Sequence, residues 1–154
     1  MAPRSVLVTG MSGLIGGALR RHLEGKYALS ALNRQPLPGV KCHRADIADL
    51  DAIAPAFEGV DTVVHLAART GSSESFDEIL GANVIGTYNV FEAARRAGVR
   101  RVIFASSGAT VSAWERDAPW SALAAGRYGE AGPFTKMTHE TPTRPIRMQI
   151  ADRP

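Results

Sequence analysis

Three glycines at three-residue intervals separate an apolar run from an amphipathic segment near the start of this chain. The run Val6–Val8 is short, rich in β-branched residues and free of charge, which is typical of a parallel strand buried on both faces. From Leu14 to Leu23, apolar residues recur at helical spacing. The glycines Gly10, Gly13 and Gly16 are therefore predicted in a turn that leads from a buried strand into a helix.

The chain up to residue 107 repeats this alternation of strands and helices. Further strands are predicted at 27–32, 40–45, 61–66 and 101–106, and helices at 50–57 and 76–97. Strands that alternate with helices form a parallel sheet joined by right-handed crossovers. We therefore predict an α/β fold with a Rossmann-type parallel sheet in the strand order 3-2-1-4-5.

Capping and helix-breaking residues characterise the two later helices. Asp49 can cap the first, and Pro55 removes one of its backbone hydrogen bonds, so we expect this helix to be short or bent. Ser75 can cap the second helix. Gly81 and Gly86 lie inside it and each costs about 1 kcal/mol against alanine, which indicates a close approach by backbone or ligand, or else a tolerated defect.

The pattern changes after the fifth predicted strand. From about Ser112 onward, prolines and glycines interrupt the sequence and no apolar period is sustained. We expect a dinucleotide-binding domain at 1–111 and an irregular tail at 112–154, without a substrate domain.

Composition and charge exclude several kinds of protein. The chain has 18 Lys+Arg against 15 Asp+Glu, a net charge of +3, and its arginines occur in scattered pairs, so we expect no nucleic-acid partner. No run approaches the about 20 apolar residues of a membrane span, and we expect a soluble cytoplasmic protein without a membrane partner. The single cysteine, Cys42, is expected to be a small core residue, and no metal site is expected.

Each glycine of the turn has a physical role in binding a dinucleotide. Gly10 permits the tight turn, Gly13 lets the backbone approach a pyrophosphate, and Gly16 allows the helix to pack against the sheet. The pyrophosphate would lie at the helix N-terminus, where free amides and the dipole favour negative charge. The alternative is a flexible loop. A mononucleotide P-loop is disfavoured because no lysine follows the glycines.

Five motifs in order resemble the extended short-chain dehydrogenases/reductases, the NAD-dependent epimerase/dehydratase group. They are the G-x-x-G-x-x-G turn, Asp46-Ile47, residues 61–68, residues 83–87 and residues 102–107. The likeness covers nearly all of residues 4–107. The sequence of residues 76–107 is most similar to uronate dehydrogenases and related sugar-acting members.

The resemblance implies where an NAD(P) cofactor would be bound. Asp46 and Ile47 would contact the adenine, and Leu66, Ala67 and Ala68 would border the two riboses, because small residues let the cofactor lie close to the strand ends. The full set of implied cofactor-binding residues is Gly10, Met11, Ser12, Gly13, Leu14, Ile15, Gly16, Asn33, Arg34, Asp46, Ile47, Leu66, Ala67, Ala68, Asn83 and Ser106.

Structural alternatives exist for the polar members of these motifs. Asp46 can instead be a turn carboxylate. Asn83 would face the site from the long helix and hold backbone or a relay water, and a purely structural role is equally favoured. For Asp61 and His65 the structural interpretations are preferred: Asp61 caps the start of a strand, and His65 is a hydrogen-bonded core residue.

The end of the second strand bears on the choice of cofactor. Many NAD-using members of the family have an acidic residue there to bind the ribose 2′-hydroxyl, whereas this chain has Asn33-Arg34. A guanidinium can bind the 2′-phosphate of NADP in bidentate fashion, so the sequence favours NADP. The alternative is a solvated Arg34 with NAD bound.

The catalytic residues that the resemblance implies are incomplete. The family uses a serine or threonine, a tyrosine that acts as acid or base, and a lysine four residues after that tyrosine. Ser107 matches the serine, with Ser106 as a less favoured substitute. Tyr128 is followed four residues later by Gly132, and Lys136 lies too far along to share its helical face. We expect a truncation or a shifted reading frame, and negligible turnover.

The sequence therefore leaves three functional hypotheses. The preferred one is the NAD(P)-binding part of an extended dehydrogenase or epimerase that acts on a sugar or nucleotide-sugar, inactive unless the missing half is supplied. The second is a non-catalytic module that senses nicotinamide dinucleotides. The third is a non-functional truncated product that self-associates through its exposed sheet edge.

Overall fold

A five-stranded parallel sheet organises the first part of the chain. The computed structural model describes residues 4–70, 75–130 and 140–144. The strands lie in the order β3-β2-β1-β4-β5, with the bounds β1 Ser5–Thr9, β2 Ala28–Asn33, β3 Lys41–Arg44, β4 Thr62–His65 and β5 Arg101–Phe104. The predicted α/β class and strand order are confirmed.

Helices connect β1 to β2, β3 to β4 and β4 to β5, whereas a loop without a helix joins β2 to β3. Helix α1 spans Leu14–Leu23, and helix α2 spans Leu50–Ile53 before a 3₁₀ turn at Ala54–Phe57. Asp49 caps α2 by accepting a hydrogen bond from the Ala52 amide at 3.0 Å. The tightening into a 3₁₀ turn occurs where Pro55 removes a backbone donor, so the prediction of a short or bent helix is confirmed.

The long helix before β5 contains an unpredicted π-helical segment. Helix α3 spans Phe76–Ile79, the π-helical segment spans Leu80–Ile85, and helix α4 spans Gly86–Arg96. Ser75 caps α3 in a reciprocal capping box with Glu78, as the sequence predicted. The amide of Gly86 donates to the carbonyl of Gly81, five residues earlier. A wider turn of this kind inside an α-helix is often found at functional sites.

The sheet is covered by apolar residues on both faces. In β1 the side chains alternate: Leu7 packs with Ile53, Phe57 and Val90 on one face. Val6 and Val8 pack with Met11, Ala31 and Val64 on the other. Period-two alternation thus feeds two core layers from one buried strand.

The described residues from Ser106 onward belong to a second compact unit, and the described residues up to Ala105 belong to the first. Its described residues contain short helical turns, with α5 at Trp120–Ala124. The rings of Trp114 and Trp120 lie 5.9 Å apart, and the guanidinium of Arg144 lies over the Trp114 ring at 4.9 Å. The domain boundary after residue 111 stays a prediction.

No helix in the described part of the chain is long and apolar enough to cross a membrane.

Candidate functional site

A cleft of about 280 Å³ opens at the carboxyl ends of β1, β2, β3 and β4. In an open parallel sheet this edge is where ligands bind. The sequence-predicted residues that line the cleft are Gly10, Ser12, Gly13, Asn33, Arg34, Asp46, Ile47, Leu66, Ala67 and Ala68. Four of the five strands therefore bring ten of the predicted residues to one concave surface.

The glycine turn forms one wall of the cleft. At two positions of this turn there is no space for a side chain. Gly10 has φ +71°, and a Cβ there would lie 2.8 Å from the Ala67 backbone nitrogen. A Cβ on Gly16 would lie 2.5 Å from the Gly10 carbonyl oxygen. The tight contact of Gly16 is thus with the turn itself, whereas the sequence predicts a contact of this glycine with the sheet.

The N-terminus of α1 follows this turn directly. Gly13 is its N-cap residue, and no side chain caps the helix. The first turn contains no acidic residue. The helix dipole and the free amides of the first turn therefore favour an anionic group at the cleft.

Asn33 lines the cleft and has a buried side-chain amide. It is the last residue of β2 and is 6% exposed. Within the described residues, neither its Nδ2 nor its Oδ1 atom has a hydrogen-bond partner. A buried polar group without a partner costs about 1–3 kcal/mol, so this amide fits a ligand that both donates and accepts hydrogen bonds.

Arg34 lies beside this amide and is exposed at the rim of the cleft. Its guanidinium makes no ion pair among the residues that the structure describes. An exposed guanidinium at this place is able to bind a phosphate group.

The loop after β3 is fixed by its own carboxylate and by α4. Asp46 Oδ1 accepts the amide of Ala48 at 2.9 Å, and the Ile47 carbonyl accepts Asn89 Nδ2 at 2.9 Å. A Cβ on Gly86 would lie 2.5 Å from Ile47 Cγ1, so α4 touches this loop closely. Gly86 thus serves the close approach that its place in the helix suggested, whereas Gly81 faces open space.

Asn83 holds backbone at the other side of the cleft. Its Oδ1 accepts the Arg69 amide at 2.7 Å, and its Nδ2 donates to the Arg69 carbonyl at 2.8 Å. Asn83 does not line the cleft itself, but Arg69 and Ala82 do. The predicted role of holding backbone therefore agrees with these contacts.

Asp61 and His65 have the structural positions that the sequence favoured. Asp61 precedes β4, and its pKa is lowered, chiefly by the Thr62 hydroxyl and further by Arg100. His65 is fully buried and hydrogen-bonded to Thr9 and Thr87. Burial lowers the pKa of His65 to about 4, so its imidazole is neutral at neutral pH.

Several sequence-predicted residues lie away from the cleft surface. Met11 is buried in the core, Leu14 and Ile15 are exposed on α1, and Gly16 packs on the turn. Ser106 and Ser107 belong to the second compact unit. There Ser107 caps a 3₁₀ turn by accepting the Ala109 amide at 3.1 Å.

Five residues that line the cleft were not predicted from the sequence. They are Leu32, Gln35, Ala45, Arg69 and Ala82. All five adjoin a predicted site residue in sequence, and widening each strand-end motif by one residue would have found the first four. Ala82 adjoins Asn83 in the π-helical segment, which has no clear sequence signal.

Comparison with known proteins agrees with this geometry. A sequence model of the NAD dependent epimerase/dehydratase family matches residues 6–147. The chain belongs to this family. The resemblance drawn from the sequence motifs, including its uronate dehydrogenase-like character, is thereby confirmed.

Three relatives define the likeness. A uronate dehydrogenase from Pseudomonas putida is 37% identical over an alignment 119 residues long, which covers 73% of this chain and 44% of that protein. An L-arabinose 1-dehydrogenase (NAD(P)(+)) from Haloferax volcanii is 36% identical over 66% of this chain and 40% of its own length. A mutant uronate dehydrogenase from Agrobacterium tumefaciens, solved in complex with NAD, is 36% identical and superposes with a TM-score of 0.64, covering 70% of this chain and 42% of that one.

The chain spans less than half the length of the relatives it matches. The residues that the family model matches include the parallel sheet and its cleft.

Proposed function

We propose that this chain is the NAD(P)-binding domain of an extended short-chain dehydrogenase or epimerase that acts on a sugar or nucleotide-sugar. The observation that carries this proposal is the buried side-chain amide of Asn33, which has no partner among the described residues and belongs to a residue that lines a cleft beside an uncapped helix N-terminus. A dinucleotide offers a pyrophosphate for the helix and ribose hydroxyls for the amide. A bound nicotinamide dinucleotide supplies hydride exchange.

Different residues of the cleft would contact different parts of the cofactor. Gly10 and Gly13 leave space for a pyrophosphate against the amides of α1. The carboxylate oxygen of Asp46 that does not bind Ala48 accepts the adenine amino group. Leu66, Ala67 and Ala68 present short side chains or backbone to the rest of the dinucleotide.

The neutral residue at the end of β2 favours NADP over NAD. Asn33 brings no negative charge to repel a 2′-phosphate, and Arg34 lies next to it without an ion pair among the described residues. A guanidinium binds phosphate through two parallel hydrogen bonds. The name of the Haloferax volcanii relative includes both cofactors.

The test is a calorimetric titration of the chain with NADPH and then NADH at matched ionic strength. We expect saturable binding of both, with NADPH preferred by about tenfold, or 1.4 kcal/mol. Arg34→Gln should reduce NADPH affinity and leave NADH affinity unchanged. Arg21→Gln is the matched control, because Arg21 is an exposed arginine of α1 outside the cleft. A chain that binds neither cofactor contradicts the proposal.

We propose further that the chain does not turn over a sugar by itself, since Ser107 is the only member of the family's catalytic set that the sequence supplies. The names of several relatives indicate a uronate as the first substrate to assay. The expected result is no cofactor reduction with glucuronate and either NAD or NADP. Slow but saturable reduction that disappears in Ser107→Ala would contradict this part of the proposal.

Self-association through the sheet edge is a separate proposal. Among the described residues β5 pairs only with β4, and its Ile103 and Phe104 are 50% and 45% exposed. An unpaired strand edge with exposed apolar side chains favours association. Sedimentation velocity should show a concentration-dependent dimer that Ile103→Lys weakens. A strictly monomeric chain at high concentration contradicts this proposal.

A further inference from the structure

A buried threonine–histidine pair lies directly beneath the cleft. Thr9 ends β1 and His65 ends β4, and the two residues are register partners across these neighbouring strands. Both side chains are fully buried. The residues that follow them, Gly10 on one strand and Leu66 and Ala67 on the other, line the cleft.

The hydrogen bonds of Thr9 determine which atoms donate. Its Oγ1 lies 3.2 Å from the backbone nitrogen of Leu66 and 3.2 Å from that of Ala67, and both amides donate to it. These two bonds use both acceptor sites of the hydroxyl. The hydroxyl proton is left to donate to His65 Nδ1 at 2.6 Å.

This arrangement fixes the tautomer of the imidazole. Because Nδ1 accepts from Thr9, the ring proton lies on Nε2, which donates to Thr87 Oγ1 at 3.2 Å. Phe104 of β5 stacks on the same ring, with the ring centroids 5.4 Å apart. The imidazole is thus held by β1, α4 and β5 in one orientation.

The Thr9 hydroxyl helps to hold the two walls of the cleft together, alongside the Thr9 carbonyl, which also accepts the Leu66 amide at 3.2 Å. The hydroxyl binds the backbone of Leu66 and Ala67 from the residue immediately before Gly10. At Gly10 the walls are so close that a Cβ would lie 2.8 Å from the Ala67 nitrogen. Because the side chain of Ala67 is a single methyl group, it cannot restore the contact with the glycine turn if the backbone of Ala67 moves.

We propose that Thr9 and His65 are positioning residues that hold the Leu66–Ala67 wall against the glycine turn in the geometry that binds a nicotinamide dinucleotide. The proposal rests on the proposed cofactor-binding function of the cleft. His65 acts through Thr9. Its Nδ1 atom accepts a hydrogen bond from the Thr9 hydroxyl and thereby keeps both lone pairs of the hydroxyl oxygen directed at the two amides. Neither side chain touches the cofactor.

The main test compares Thr9→Val with Thr9→Ser. Valine keeps the shape and removes the hydroxyl, whereas serine keeps the hydroxyl. Thr62→Val is the matched control, because Thr62 is a buried threonine of β4 whose hydroxyl binds Asp61 at the opposite end of the strand. The affinities for NADH and NADPH are measured at a temperature where near-UV circular dichroism shows every variant to be folded.

We expect Thr9→Val to weaken both cofactors by about tenfold or more, Thr9→Ser to restore most of that affinity, and Thr62→Val to lower the unfolding temperature without changing affinity. If Thr9→Val does not fold, His65→Asn and His65→Leu replace the pair. Asparagine keeps an acceptor for the Thr9 hydroxyl and leucine does not, so His65→Asn should bind more tightly than His65→Leu.

Nitrogen-15 spectra of the histidines in the unsubstituted chain provide a readout independent of binding. At neutral pH they should show His65 with a bare Nδ1 and a protonated Nε2. The opposite tautomer overturns the hydrogen-bond assignment. Equal cofactor affinities of Thr9→Val and the unsubstituted chain overturn the positioning role and leave the proposed function intact, whereas no binding by the unsubstituted chain overturns both.

Discussion

At the residue scale, the cleft contains one group that is unfavourable for the unliganded fold and one position that only glycine occupies without strain. Asn33 is buried with its amide unpaired among the described residues, and Gly10 has a backbone conformation that side chains disfavour. A ligand that pairs the amide would offset the cost at Asn33. Substitutions at these two positions should therefore separate stability from binding.

Replacing Asn33 by leucine is expected to stabilise the chain and abolish cofactor binding. The apolar side chain removes two unsatisfied polar atoms, each worth about 1–3 kcal/mol when left unpaired, and the net gain in unfolding free energy should be about 1 kcal/mol after the change of shape. Urea unfolding and calorimetric titration measure the two effects. Asn89→Leu is the control: Asn89 is equally buried but donates to Ile47, so its loss should destabilise. An Asn33→Leu chain that is less stable than the original argues against the interpretation.

Gly10→Ala should destabilise more than a glycine-to-alanine change at another left-handed position. Gly59 has φ +68° with nothing within 4 Å of a Cβ, so Gly59→Ala measures the backbone strain alone, about 1–2 kcal/mol. Gly10→Ala adds the contact with Ala67 and should cost about 1–3 kcal/mol more. Equal unfolding free energies for the two variants would show that the turn has room for a side chain.

At the scale of elements, the sequence predicts those features of the fold that hydrophobic periodicity and helix capping determine. The strands β1 to β5, the cap at Ser75 and the shortened helix at Pro55 all follow from local sequence. Strand ends shifted by one or two residues, because pairing partners decide where a strand ends. The π-helical segment could not be predicted, since it depends on how closely α4 packs on Ile47.

The candidate site was predictable to a similar extent. The glycine spacing and the short motifs at the strand ends predict those residues of the cleft that lie in the glycine turn or directly at the end of a strand. Met11 was assigned to the cofactor because it lies inside the glycine motif, but in the fold it packs into the core. The unpaired amide of Asn33 was also beyond sequence reasoning, because burial and missing partners are properties of the packed structure.

Gly81 and Gly86 should respond differently to alanine although both lie in the same helical run. Gly81→Ala meets open space and should be neutral or stabilising by up to about 1 kcal/mol through helix propensity. Gly86→Ala must displace Ile47 and should destabilise by about 1–3 kcal/mol. Because Ile47 lines the cleft, Gly86→Ala should also weaken cofactor binding. Chemical denaturation of the two variants decides this, and similar behaviour would contradict it.

His65 should make the stability of the sheet depend on pH. Its pKa is about 4 in the fold against an ordinary value of 6.5, so the unfolded chain binds more protons between these values. The contribution of neutral His65 is complete above pH 6.5 and is lost as the pH falls toward 4, at up to about 1.4 kcal/mol per pH unit for one proton. Urea unfolding across this range should show a smaller slope in His65→Asn. Identical slopes would rule out His65 as the source.

At the scale of the whole molecule, the chain combines a family fold with less than half of its relatives' length. The parallel sheet, its two core layers and the cleft are present in residues 4–105 outside the undescribed segment 71–74. Cofactor binding at the cleft can therefore be tested separately from turnover, for which we expect further catalytic groups to be needed.

Nuclear magnetic resonance of the labelled chain titrated with NADPH tests dinucleotide binding at the cleft. We expect saturable shifts of the Asn33 side-chain amide and of the backbone amides of Gly10, Gly13 and Ala67. The backbone amide of Gly98, which follows α4 and does not line the cleft, serves as an internal reference. Absence of shifts at saturating cofactor, or shifts that leave Asn33 and the glycine turn unchanged, would contradict dinucleotide binding at this site.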